Sequence, residues 1–304
     1  MASRTAAVRA ADRAPGQALS DLLPYLLLAP SVLMLLAVTL YPLLYAARLS
    51  AFSFRFGKEL SFIGLANYAL LLRDANFHWT LWITVVYTFF AVSIEFLFGL
   101  GLALLLSGEL RFRGVFRAAL MLPMVVTPVV VGIVWRMIYA SDMGVLNFAM
   151  KALTGSGYNI LAEPTLALPA VIVMDIWEWT PFMFLVLLAG LQSLPQEPFE
   201  AARVDGATAW QTFRDLTLPM LRPVILVALL IRTMDAFTVF DQIFVLTNGG
   251  PGTSTEVASL AIYRAAFKYQ LWGTASAMVF FVFVIILLAS LAYLWFMREP
   301  EAAR

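Results

Sequence analysis

Six long apolar runs dominate this chain, at about 24–46, 80–106, 115–139, 167–191, 221–246 and 275–297. A bilayer core roughly 30 Å thick is crossed by about 20 apolar residues in a helix. No water is available at that depth, so each peptide group must bond within its own segment, and helix is the form open to runs of this kind. The expected fold is an all-α membrane protein with six transmembrane helices. Composition agrees, with 62% hydrophobic and 13% charged residues, against about 25% charged in a soluble domain.

The same composition removes whole classes of function. A net charge of +1 gives no basic face for nucleic acid. The absence of cysteine excludes disulfides, thiolate metal sites and thiol catalysis. The one histidine, His78, stands among aromatics in FHWT at the head of an apolar run, where an interface residue is expected rather than a ligand. A bound metal and a catalytic centre are therefore not expected.

Arg4, Arg9 and Arg13 precede the first run as they would in a signal peptide. That run is too long for a signal core, and no small-residue cleavage site follows it, so it reads as a retained first span. Residues 1–20 are expected to form a flexible tail, 21–299 a transmembrane domain and 300–304 a short second tail. Counting Lys and Arg near the span ends gives eleven on the side of the termini and seven on the other, with Arg136 and Arg232 inside spans. The bias puts both termini, and the 192–220 connection, in the cytoplasm.

That connection, 200-EAARVDGATAWQTFRDLTLP-219, is too polar to be buried in lipid. Ser193 before Leu194-Pro195 reads as a helix start. Glu197 and Glu200 fall in the first turns, where the helix dipole favours anions. Gly206 sits where a left-handed C-terminal cap is wanted. Thr208 can cap a second helix carrying Trp210 and Phe213, before Pro219 and Pro223 lead into the fifth span. On residues alone, a helix–glycine–helix unit of this kind is either an amphipathic segment on the membrane surface or a docking element.

Ionisable residues at membrane depth are costly and face a partner or a cavity. The spans carry Glu95, Arg136, Asp175, Glu178, Arg232, Asp235 and Asp241. Asp175 and Glu178 are three apart and share a helix face, as do Arg232 and Asp235. Trp177, Trp179 and Pro181 accompany the first pair. Aromatic rings beside carboxylates suit a sugar, stacking on pyranose faces while the charges hold hydroxyls. The alternative is that the charges pair and fasten helices together. Glu95 has no partner visible in sequence, and an inter-helix hydrogen bond is expected of it. An ion-coupled secondary sugar transporter, with Asp175, Glu178 and Asp235 as proton or sodium sites, would fit the same charges, although the chain shows no internal repeat.

The order Glu200-Ala201-Ala202, three residues, Gly206, nine residues, Leu216-Thr217-Leu218-Pro219 resembles the EAA loop of ATP-binding-cassette importer membrane subunits. The stretches 62-FIGLANY-68, 177-WEWTPFMFLVLLAGLQSLP-195 and 232-RTMDAFTVFDQIFVLTNGGPGTSTE-256 extend the likeness to roughly 20–297. It is strongest to the carbohydrate-type, MalF-like permeases, in a short six-span form. The resemblance implies that the loop, about 193–219, is a coupling helix seated on a cytoplasmic ATPase. Its contacts would be Glu200, Ala201, Ala202, Asp205, Gly206, Trp210 and Phe213.

The resemblance also implies the partners: a second, MalG-like permease, an ATPase dimer holding ATP and magnesium, and an extracellular solute-binding protein. No phosphate loop occurs here; the one Gly-Lys pair is Gly57-Lys58, followed by glutamate. Matching the TPF and NGGP anchors carries the family's sugar-contact positions onto Asp175, Trp177, Glu178 and Trp179, onto Arg232, Ala236 and Val239, and onto Met124 and Pro128. Asp235 joins them as the neighbour of Arg232. The apolar Ala236 and Val239 put maltose itself in doubt, and a neutral sugar is favoured. The implied setting is a bacterial or archaeal cytoplasmic membrane, with lipid around the spans.

Overall fold

A computed structural model describes residues 15–56, 58–108 and 112–297. The expected tails at 1–14 and 300–304 lie outside the described residues. The first helix, α1 (Pro15–Ser50), starts inside the expected tail, because proline presets the backbone angle of a first helical turn. Four more long helices follow: α3 (Ala75–Ser107), α7 (Pro164–Ser193), α10 (Leu218–Phe237) and α13 (Trp272–Met297). With α1 they are, among the described residues, the five helices long and apolar enough to cross a membrane, at mean hydropathies of 1.7 to 2.8.

The sixth expected span, 115–139, is not one helix. It is α4 (Arg113–Val125) and α5 (Pro128–Ile138), bent by 95°. Val126 and Thr127 are extended at the break. Pro128 forces this, since the residue before a proline is pushed out of the helical region. The expected 221–246 span also divides. α10 ends at Phe237, and a short α11 (Asp241–Leu246) begins after Thr238–Phe240.

The connections carry more structure than loops. Phe52–Arg55 (β1) and Lys58–Phe62 (β2) form an antiparallel hairpin with Phe52 opposite Phe62, a small exception to an all-α chain. α2 (Ala66–Leu71) and α6 (Val145–Thr154) are short helices, and α12 (Ala258–Tyr263) runs into a π-turn over Arg264–Lys268. Asn67 of α2 donates to the Ser50 and Phe52 carbonyls at 2.8 and 3.1 Å, fixing the end of α1.

α3 and α7 form the centre. Gly99 permits their approach: a Cβ there would lie 2.5 Å from Met183 Cβ and 2.9 Å from the Phe184 nitrogen. Tyr87, Ala91, Met174 and Met183 are sealed between these helices, together with Ala228 and Ala236 of α10. α1 by contrast leaves nearly all of its apolar side chains exposed, as suits lipid or a neighbouring subunit.

Candidate functional site

Two places in this frame carry polar groups that packing alone does not require. The first is at mid-span. Arg232 of α10 is 1% exposed. Its Nε and Nη2 donate to the two Glu95 oxygens of α3 at 2.8 and 3.0 Å, a bidentate fit to the carboxylate plane. Nη2 also donates to Asp175 of α7, and Nη1 donates to Asp235 at 2.7 Å. The Trp179 ring covers the guanidinium at 4.9 Å. Gln242 of α11 donates to Asp175 Oδ1 at 2.9 Å and to Glu178 at 3.4 Å. Three helices thus meet on one cation, and a fourth, α11, joins the network through the α7 carboxylates.

Sequence reasoning paired Arg232 with Asp235, and the structure makes that contact. It missed that Arg232 also holds Glu95 and Asp175, and it missed Gln242. A signal was present for Glu95. It lies 12 residues before the end of α3, and Arg232 lies 14 residues into α10. At the helical rise these are about 18 and 21 Å from the ends joined to the same face, so the two are natural partners in depth.

The remaining predicted positions divide. Asp175 and Glu178 are buried inside the network. The Asp235 side chain is 51% exposed. Trp177 is exposed and edges onto Trp135 with ring centroids 5.8 Å apart. Met124 and Pro128 are half-buried on either side of the α4–α5 break. Ala236 and Val239 are buried in the protein's own core. Arg136 donates to the Val245 carbonyl at 3.3 Å, and Asp241 opens the first turn of α11. His78 is exposed one turn into α3.

The second place is the 192–220 connection. Ser193 is not its cap: α7 continues to Ser193, whose hydroxyl bonds back to the Gly190 carbonyl at 2.8 Å, and the next helix begins later, as α8 (Glu197–Val204). Pro195 ends the first helix, because the residue before it, Leu194, is extended. Glu197 and Glu200 occupy the first turn of α8. Gly206 follows at φ +78°. The Gly206 amide donates to Arg203 at 3.2 Å and the Ala207 amide to Ala202 at 2.9 Å, the paired closure of a Schellman cap. Thr208 then makes a reciprocal capping box with Gln211 on α9 (Ala209–Thr212).

From α9 a π-turn, Phe213–Thr217, passes directly into α10. The wider turn lies just before Pro219, which has no amide hydrogen to donate and whose ring crowds the carbonyl four residues back. The second helix of the connection and the helix bearing Arg232 are therefore one continuous rod. Val204 is 88% and Trp210 67% exposed. Glu200, Ala201, Asp205 and Gly206 are exposed too, with Ala202 and Phe213 half-buried. Trp210 leans on Phe213 with ring centroids 5.6 Å apart. A cavity of about 470 Å³ opens between this connection and the ends of α3 and α7, lined by Ser107, Gln192, Phe199, Glu200 and Arg203 among others.

The 248-NGGPG-252 turn is tightly built. Asn248, Gly249 and Gly252 have positive φ. The Thr247 and Thr255 hydroxyls meet at 2.7 Å, and Arg264 bonds the Asn248 carbonyl at 2.5 Å and Glu256 at 2.6 Å.

Polytopic helices around a buried ionic centre, joined by a rod to an exposed polar element, define the membrane component of a transport system. The chain belongs to the family of binding-protein-dependent transport system inner membrane components, whose pattern matches residues 95–299. It is a multi-pass inner-membrane protein, of a family whose members are non-catalytic permease subunits. It is 38% identical over 275 residues to the trehalose/maltose transport system permease protein MalF of Thermococcus litoralis, covering 90% of this chain and 92% of that one. To the sulfoquinovosyl glycerol transport system permease protein SmoG of Agrobacterium fabrum it is 34% identical, over 92% of both. A chain in the crystal structure of a bacterial alginate ABC transporter, in complex with an alginate pentasaccharide-bound periplasmic protein, superposes with a TM-score of 0.80. It is 25% identical, over 90% of this chain and 95% of that one.

Proposed function

We propose that this chain is a transmembrane permease subunit of an ATP-driven, binding-protein-dependent importer that carries a di- or oligosaccharide, or a related glycoside, across the cytoplasmic membrane. Family membership and relatives named for trehalose, maltose and sulfoquinovosyl glycerol support this reading. The observation that carries the mechanism is the continuous rod. The exposed α8–Gly206–α9 element is joined without a break to the helix bearing Arg232 and Asp235. A push at one end must move the other.

In this mechanism both termini and the 192–220 element lie in the cytoplasm, as the Lys/Arg bias favours. Glu200, Ala201, Ala202, Asp205, Gly206, Trp210 and Phe213 seat on an ATPase dimer, which binds ATP and magnesium and does the hydrolysis. A second permease completes the path, and a solute-binding protein delivers sugar outside. Exposed apolar side chains such as Trp210 and Val204 are what such a docking element needs before its partner arrives.

In this reading the path is lined by Asp235, Trp177, Trp179, Met124 and Pro128, with the buried Asp175, Glu178 and Arg232 behind them. Ala236 and Val239 reach it only when α10 and α11 part from α7. The breaks at Val126–Thr127 and Thr238–Phe240 are the places where α4–α5 and α10–α11 can bend. Closure of the ATPase dimer turns the rod, opens the path to the outside and admits sugar; hydrolysis restores the inward-facing state. The ion-coupled alternative has weak ground here, since Asp175 and Asp235 are already bonded to Arg232.

The test is sugar-stimulated ATPase activity of the complex in nanodiscs, co-expressed with its neighbouring genes. Wild type should respond to loaded binding protein, whereas Glu200→Ala and Gly206→Pro should lose the response. If no ATPase copurifies, or both variants respond normally, the coupling assignment fails and ion-driven uptake becomes the reading to pursue.

A further inference from the structure

The importer reading leaves open whether the cargo is neutral or charged. Arginine in a sugar path usually suggests an anionic cargo, since its fork fits carboxylate, sulfonate and phosphate groups. Arg232 is not free to act so. Every nitrogen of its guanidinium donates to a carboxylate of this chain: Nε and Nη2 to Glu95, Nη2 to Asp175 and Nη1 to Asp235. Trp179 lies over its face, and 1% of the residue is accessible.

The other arginine inside a span, Arg136, and the two near span ends, Arg117 and Arg222, each donate to a backbone carbonyl, those of Val245, Leu106 and Phe296 in turn. Among the described residues no other lysine or arginine lies within the apolar spans. One charged atom group of the network does reach the surface, the Asp235 carboxylate, with half its side chain exposed. A carboxylate near the end of an apolar helix, bonded to an arginine at membrane depth, does not face hydrocarbon. It faces the aqueous path between the permease subunits, or the second subunit.

We propose that Asp235 is the charge-selecting residue of the path. Held in place by Arg232, it makes this wall accept neutral, hydroxyl-rich glycosides and turn away anionic ones. Its free lone pairs accept hydrogen bonds from sugar hydroxyls, while a uronate, sulfonate or phosphate meets like charge at the same wall, which is unfavourable. Arg232 itself is a positioning residue, fastening α3 and α7 to α10. The inference rests on the importer reading above.

The test uses the complete importer in proteoliposomes, with a neutral disaccharide that stimulates its ATPase and with that disaccharide's uronic-acid analogue. Each sugar is supplied at a concentration that saturates the binding protein, so the ratio of uptake rates reads the membrane step. Wild type should favour the neutral sugar by at least about tenfold, in line with the cost of like charges brought together. Asp235→Asn should reduce that preference to within about threefold, and Asp235→Glu should keep it. Equal uptake by wild type overturns the inference alone, as does an unchanged ratio in Asp235→Asn. Loss of the second permease from the Asp235→Asn complex also overturns it, by assigning the carboxylate to the subunit interface. Absence of uptake of any glycoside by wild type overturns the importer reading, and this inference with it.

Discussion

The 192–220 element and the Arg232 centre are built by opposite means. The first is local. Its Schellman cap at Gly206 and capping box at Thr208 close within the ten residues 202–211, and most of its side chains are exposed. The second is assembled from afar. Arg232 reaches Glu95 across 137 positions and Asp175 across 57, and its members other than Asp235 are buried. Local bonding lets an element keep its shape while its surface stays free to dock. Long-range bonding spends the same polar groups on holding helices together. The two regions therefore differ in what a mutation removes, fold in one case and communication in the other.

That contrast is broken most readily at Arg232. Removing the guanidinium leaves Glu95 and Asp175 buried without their cation, a loss of about 3–5 kcal/mol. Arg232→Met should therefore sharply lower the yield of folded complex and its thermal midpoint in detergent. The triple change Arg232→Met, Glu95→Gln, Asp175→Asn should recover much of both, since the charges vanish together. If Arg232→Met melts like wild type, the centre does not hold the helices. A smaller loss is expected at Gly99→Val. Its side chain would meet Met183 Cβ and the Phe184 backbone within 3 Å, and overpacking of this kind costs about 1–3 kcal/mol. Chemical denaturation of the purified complex measures it, and an unchanged midpoint would show that α3 and α7 separate at no cost.

Legibility in the sequence follows the same divide. The helix–glycine–helix pattern was readable because caps are written in neighbouring residues: Gly206 and Thr208 sit in the positions their roles require. Ser193 misled, since a hydroxyl before Leu-Pro serves equally as the tail of one helix or the head of the next, and here it bonds back to Gly190. Five of the six expected spans are long helices, the sixth is the pair bent by 95°, and two spans are less straight than hydropathy suggests. Hydropathy is blind to the turn at Thr127-Pro128 and to the stop at Thr238, because apolar residues continue through both. The mid-span charges could be flagged as costly, yet which one each would meet depends on helix neighbours that no local pattern specifies. Gln242 carries no charge and gave no flag, though it bridges Asp175 and Glu178.

At the local element the expected effects on stability are small, and that is what makes them informative. A side chain at Gly206 meets open space, so Gly206→Ala costs only the strain of φ +78°, about 1 kcal/mol. Its thermal midpoint should scarcely move in a complex whose cohesion lies in the spans, while sugar-stimulated ATPase falls because the angle between α8 and α9 changes. Trp210→Ala should be the mildest of all for the fold. The ring is 67% exposed and touches only Phe213 among aromatic partners, so within this chain its removal costs about 0.5 kcal/mol or less. In the proposed docking role its contribution falls on the ATPase surface it would cover, where buried tryptophan is often worth about 2 kcal/mol or more. Copurification of the ATPase should drop several-fold with an unshifted midpoint for the permease pair. A shifted midpoint with full ATPase binding would reverse the contrast, making Trp210 part of the fold and leaving the docking face to Val204 and the α8 side of the element.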